Sequence, residues 1–152
     1  KSISKTIAKV KYIKNLRLKN YDYKNNGAYF VTICTDFRRS IIQEKERQIL
    51  EEELNKLQER FSGIKLDYHT IMANHIHVIF IFDNAKVNLP RVVQTFKSVS
   101  ALRLKREGQK GKTFWQRNYY EHVIRNDEAL GKIRQYIINN PSIERLKMGE
   151  IY

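Results

Sequence analysis

One eight-residue stretch constrains this chain more than any other: His75-Ile76-His77-Val78-Ile79-Phe80-Ile81-Phe82. Alternate side chains of a strand point to opposite faces. Ile76, Val78, Phe80 and Phe82 then share one face, and Ile79 and Ile81 continue the face begun by His75 and His77. A strand that is apolar on both faces is central and buried. Two imidazoles on such a strand need partners, because a buried polar group left unpaired costs about 1–3 kcal/mol. Neutral imidazole is a common metal ligand, and His-x-His on a strand supplies two adjacent coordination positions. Hydrogen bonds to backbone or water at an exposed strand end would meet the same need.

The neighbouring segments supply the rest of a sheet. Ala28 to Thr35 is rich in aromatic and β-branched residues and predicts a first strand starting after Gly27. Ile41 to Phe61 has helical spacing, with Ile42, Ile49, Leu50, Leu54, Leu57 and Phe61 in one stripe, and Ser62-Gly63 ends it. Ile64 to Met72 predicts the second strand, and Ala73-Asn74 the turn into the third. Leu89, Val92, Val93, Phe96 and Val99 fall on one face of a second helix, with Pro90 where a first turn tolerates it. A polar loop over Gly108 to Lys112 leads to a fourth strand predicted over Phe114 to Arg125. Asn126-Asp127 caps a last helix that runs to about Asn140 and stops at Pro141. The order β-α-β-β-α-β is the α+β, ferredoxin-like arrangement: a four-stranded antiparallel sheet with two helices on one face, here followed by a C-terminal helix. That fold hosts many functions, so function has to be read from the site.

Charge narrows the partner. The 152 residues hold 29 Lys and Arg against 16 Asp and Glu, a net of +13. Residues 1–24 and 91–119 each carry eight basic side chains and one acid, whereas Glu44 to Arg60 is net negative. Segregated positive blocks favour a polyanion groove over general solubility. The length and the absence of a linker predict one domain over residues 1–152, with 1–24 as a basic N-terminal arm. Cys34 is the single cysteine, which excludes an intrachain disulfide and argues against a cysteine zinc site. The longest apolar run, Val78 to Phe82, is far too short to span a bilayer, and residues 1–10 show no signal-peptide core. The expectation is a cytoplasmic protein of a reducing compartment that faces nucleic acid and not a membrane.

In the last helix Leu130, Ile133 and Ile137 make the buried stripe, and Tyr136 and Asn140 stack four apart at its edge. If that edge faces the sheet, both approach His75 and His77. The Asn140 amide oxygen suits a hard divalent ion such as Mg²⁺ or Mn²⁺. The Tyr136 phenol is either a nucleophile or one amphipathic edge residue among nine tyrosines. Lys97, Arg103 and Lys105 lie on or near the second helix, where phosphate contact or plain solvation are both open. Trp115 followed by Arg117 either stacks on an unpaired base or fills the core. His122 shares a strand face with Tyr120 and either contacts the reacting region or pairs with a neighbour.

These residues resemble a known family. Tyr21-Asp22-Tyr23 followed by Gly27 to Thr35 is similar to the opening of the REP-associated tyrosine transposases, which belong to the single-tyrosine HUH transposases. Met72-Ala73-Asn74-His75-Ile76-His77 resembles that family's metal-binding motif. Phe96-Lys97-Ser98 resembles its second helix, Phe114-Trp115-Gln116-Arg117 with Tyr120 to Arg125 its fourth strand, and Gln135-Tyr136-Ile137-Ile138-Asn139-Asn140-Pro141 its nucleophile helix. The resemblance implies a metal-dependent nickase and strand transferase of single-stranded DNA, acting at hairpin or palindromic repeat sequences of a prokaryotic genome through a 5′-phosphotyrosine. It implies His75 and His77 as ligands of Mg²⁺ or Mn²⁺, Tyr136 as nucleophile, and Asn140 in a third-ligand place where some relatives have Gln. Lys97, Arg103, Lys105, Trp115, Arg117, Tyr120 and His122 are the expected DNA contacts. Relatives include monomers and homodimers whose tyrosine acts in trans, so the resemblance leaves both open. A non-catalytic single-stranded nucleic-acid-binding module on the same fold is the alternative; its K/R-G-F/Y pattern does not occur here.

Overall fold

The structure, a computed structural model, describes residues 26–139. The basic segment 1–24 and Asn140, on which expectations were placed, lie outside the described residues.

Strand β1 (Gly27–Cys34) is buried along its whole length. A short turn (Asp36–Arg38), left-handed at Phe37 and Arg38, leads to helix α1 (Glu44–Arg60). Strands β2 (Ile64–Ile71) and β3 (His75–Phe82) form a hairpin, followed by helix α2 (Leu89–Arg106). Strand β4 (Tyr120–Ile124) and helix α3 (Asp127–Asn139) complete the order. The sheet is antiparallel in the order β2-β3-β1-β4, with the doubly apolar β3 central as its sequence requires. This is the α+β, ferredoxin-like fold.

The two sheet faces have separate cores. Val31, Ile33, Ile76, Val78 and Phe80 pack against Leu50, Leu54 and Leu57 of α1 and Val92, Val93 and Phe96 of α2. Ala28, Phe30, Ile79, Ile81 and Ile124 pack on the other side, against Leu130, Ile133, Tyr136 and Ile137 of α3. Local chemistry sets the helix starts. The Gln43 amide donates to Glu46 Oε1 at 3.0 Å, Asn88 Oδ1 accepts from the Arg91 amide at 3.1 Å, and Asn126 Oδ1 accepts from the Ala129 amide at 2.7 Å. Gly63, at φ +83°, sits where a Cβ would lie 2.6 Å from the Asp83 carbonyl oxygen, so the α1–β2 turn requires glycine.

Several boundaries differ from expectation, the second strand ending at Ile71 and not Met72. Helix α1 starts at Glu44, because Ile42 instead donates its amide to the Ala73 carbonyl and docks buried on the hairpin turn. The first strand ends at Cys34, with Thr35 making only an isolated bridge to Trp115. The fourth strand covers Tyr120–Ile124 only, because the buried Lys97 ammonium donates to the carbonyls of Gln116, Arg117 and Asn118 at 2.8, 2.9 and 3.1 Å. Successive strand carbonyls point in opposite directions, so three converging on one nitrogen cannot belong to a strand. The upstream ends of this loop are also fixed. Phe114 accepts from the Asp36 amide, Thr113 accepts from Arg39 Nη2, and Glu107 and Gly108 bond back to the last turn of α2.

Candidate active site

The site is assembled on the α3 side of the sheet, at the start of β3. The His75 and His77 rings stand 4.6 Å apart between centroids. Each ring has its Nδ1 engaged, His75 with Asn74 Oδ1 at 2.7 Å and His77 with Thr32 Oγ1 at 2.9 Å. Such partners fix ring orientation and make Nε2 the nitrogen a metal would take. His77 is only 4% exposed, and burial, then the neighbouring His75 and Arg38, push its pKa down to about 3. It is therefore neutral at any physiological pH, the form that ligates metal. The donor chemistry fits a divalent ion held by two imidazoles. Among the described residues no group of three His, Cys, Asp or Glu forms a site, and the third expected donor, Asn140, is outside them.

Helix α3 brings Tyr136 to this pair. Its ring centroid is 5.2 Å from that of His77 and 6.2 Å from that of Phe30. Tyr136 was expected at the edge of the apolar stripe. It is instead part of the core, 7% exposed, because the helix flank carrying it is covered by Phe30 and His77. The other flank is held by an ion pair that sequence reasoning missed. Arg134 donates through Nε and Nη2 to the two Asp67 oxygens, both at 2.8 Å, and its guanidinium lies 5.0 Å from the Tyr68 ring centroid. A bulge between Leu66 and His69 turns both Asp67 and Tyr68 toward α3. The one available signal was an aspartate in a strand with an arginine two residues before the candidate nucleophile.

The profile of the family described as "Transposase IS200 like" matches residues 23–140, most of the chain. The chain belongs to the IS200-like transposases. An uncharacterized protein of Haemophilus influenzae is 30% identical over 164 residues, covering 88% of this chain and 91% of that protein. A second Haemophilus influenzae protein, provisionally named a REP-associated tyrosine transposase, is 24% identical over 141 residues, covering 82% of this chain and 76% of its own length. A solved structure of a REP-associated tyrosine transposase bound to a REP hairpin has a TM-score of 0.67 at 22% identity, over 82% of this chain and 72% of that one. The family and its REP-associated branch are those that the motifs around His75 and Tyr136 resemble.

In this IS200-like transposase the expected DNA contacts separate into two groups. Tyr120 pairs with Thr32, which pairs with His77, which pairs with Thr70, so these four form one row across the sheet on the α3 side. His122 lies two residues on, opposite Phe30, on the same face. Arg117 is exposed in the loop before β4. The remaining residues belong to the α2 side. Lys105 is exposed there. Lys97 is buried and committed to its three carbonyls, and Arg103 is bound to Glu52 at 2.6 Å and Glu53 at 3.0 Å of α1. Trp115 is not a surface ring either. It is buried against Phe96 and Phe114, with Nε1 donating to Ser100 Oγ at 2.9 Å. These three side chains hold the α2 layer together. Among the described residues no helix is long and apolar enough to cross a membrane.

The buried neutral imidazole of His77 also sets an acid limit. Its folded pKa of about 3 lies below the ordinary histidine value, so between these values the unfolded chain binds more protons than the folded one. His77 therefore lowers stability progressively as pH falls below about 6.5, by at most about 1.4 kcal/mol per pH unit. Burial shifts His122 in the same direction. Thermal unfolding in EDTA from pH 7.5 to 4 will show a falling midpoint, and His77→Gln will flatten that fall. An unchanged profile in the variant would refute the assignment.

Proposed function

We propose that this transposase-family chain is a metal-dependent endonuclease and strand transferase of single-stranded DNA, acting beside hairpins or palindromic repeats. One observation carries this reading: a single chain brings Tyr136 within 5.2 Å of His77, whose ring neighbours His75. His75 and His77, with Asn140 as third donor, would hold Mg²⁺ or Mn²⁺. When bound, that ion supplies a Lewis acid at a phosphate oxygen. The Tyr136 oxygen attacks the scissile phosphorus, forming a tyrosine–phosphate ester as the bond to O3′ breaks. The phenolic proton is given up and the departing O3′ takes one, leaving a 5′-phosphotyrosine and a free 3′-OH. The ester preserves the phosphodiester energy, so a second 3′-OH reverses the step and rejoins strands. Tyr136 and His77 meet within one chain, which favours action in cis. The whole of residues 1–152 acts as one unit, its basic 1–24 arm on a hairpin stem and Arg117, Tyr120 and His122 along the unpaired strand.

Labelled hairpin-bearing single strands, incubated with the protein and Mg²⁺, Mn²⁺ or EDTA, test this on denaturing gels. The expected result is a protein-linked downstream fragment that EDTA abolishes. Binding without covalent product, across a panel of hairpins and both metals, would overturn the enzyme reading in favour of a binding module.

A further inference from the structure

Between β1 and α1 the chain carries a feature that the folded interior does not explain. Phe37 is 86% exposed, and both it and Arg38 occupy the left-handed region, at φ 57° and 52°. That conformation costs about 1–2 kcal/mol per residue, and an exposed phenyl ring adds no core packing. The turn is nevertheless rigidly held. Arg38 donates its amide to the Thr35 carbonyl, Thr35 Oγ1 donates to the Arg39 carbonyl at 2.7 Å, and Arg39 Nε and Nη2 donate to the Asp36 and Thr113 carbonyls. Asn74 joins this turn to the candidate metal pair, its Nδ2 donating to the Arg38 carbonyl at 3.4 Å and its Oδ1 meeting His75 Nδ1 at 2.7 Å. Arg38 is exposed and close enough to press on the His77 pKa. Lys112 and Arg117 are exposed on the loop that hydrogen-bonds this turn.

We infer that Phe37 is a stacking platform for one unpaired base of single-stranded DNA, with Arg38 on the adjoining phosphate, positioning the strand at the His75–His77 end of the sheet. The inference rests on the DNA-processing reading above and adds a base-binding position to it. A flat, exposed ring followed in sequence by the exposed Arg38 offers one surface for each part of a nucleotide, its π-face and its phosphate. Paired bases are already stacked, so the ring selects the unpaired state. The strain falls on a turn tied to the site, as strain kept for function does.

The test uses the full chain, EDTA and fluorescein-labelled dT25, with affinity measured across a salt series. Phe37→Ala and Phe37→Leu are expected to weaken binding about tenfold, the low-to-middle range for one aromatic–base stack. Phe37→Trp keeps the affinity. The slope of log affinity against log salt stays unchanged in Phe37→Ala, whereas Arg38→Ala loses about 0.7 of it, one phosphate contact. Unfolding midpoints of the Phe37 variants match the parent. If the parent binds and Phe37→Ala binds equally well, the platform is refuted and the DNA reading stands. A lowered midpoint in Phe37→Ala would mean that the ring packs against this chain, which also refutes it. If the parent itself fails to bind dT25 at low salt, the platform falls, and the hairpin panel above decides the DNA-processing reading separately.

Discussion

Tyr136→Phe will eliminate the protein-linked DNA fragment, a loss of at least about a thousandfold in covalent product, since removing a nucleophile removes the chemical step itself. Binding of the same DNA will be retained. The substitution deletes one oxygen and keeps the ring, so contacts with Phe30 and His77 survive and the unfolding midpoint moves little. Two tyrosines could mislead a weaker experiment. Tyr119 packs toward the α1–α2 core, and burial, then the neighbouring Glu121, push its pKa up to about 12, so it is a poor source of phenolate. Tyr120 shares the sheet row with His77 but stands half-exposed on the edge strand. Peptide mapping of the adduct separates the three. Adduct persisting in Tyr136→Phe would refute the assignment and point to Tyr120.

Arg134→Ala will give the second large effect, through stability. The Asp67 side chain is 1% exposed, and removing its bidentate partner leaves a buried carboxylate uncompensated, at a cost of about 3–5 kcal/mol. Against total stabilities of about 5–15 kcal/mol, that is a major fraction. Urea unfolding will show it as a lower midpoint at unchanged slope. The loss should also reach the site. Leu130, Ile133 and Ile137 set how closely α3 lies on the sheet, but apolar contact resists rolling weakly, and Arg134 pins the flank opposite Tyr136. Covalent product will therefore fall even under conditions where the variant stays folded. Pairing Asp67→Leu with Arg134→Met will restore most of the stability, because no charge is then stranded. If Arg134→Ala unfolds like the parent, the pair is not a tether.

Much of this is legible in the amino-acid sequence. The doubly apolar His75–Phe82 segment fixed the central strand, helical spacing found α1 and α2, and Asn126 marked the start of α3. Strand alternation put His75 and His77 on one face and helical spacing put Tyr136 on an edge, but it was the family resemblance that joined the three in one site. What escaped detection depends on contacts between distant parts of the chain. Phe114 to Asn118 has strand-like composition, but the Lys97 ammonium, twenty residues away, outcompetes a sheet edge for its carbonyls. Base stacking and core filling were both open for Trp115 until the fold buried it and left Arg117 exposed. The bulge that aims Asp67 at α3 has no two-residue rhythm to betray it. Phe37 escaped because nothing in the sequence tells whether a lone aromatic just past a strand is buried or exposed.

The loop after α2 has a further consequence, for how this chain can change in length. Up to Gln109 the backbone is bonded back to the helix, and from Thr113 onward it is bonded to the Asp36–Arg39 turn and to Lys97. Between these anchors Gly111 has nothing within 4 Å of where a Cβ would be. Added residues there would bulge into solvent without shifting β4 or the helix behind it. A fusion that grafts a reporter into the chain has its natural joint at Lys110–Lys112.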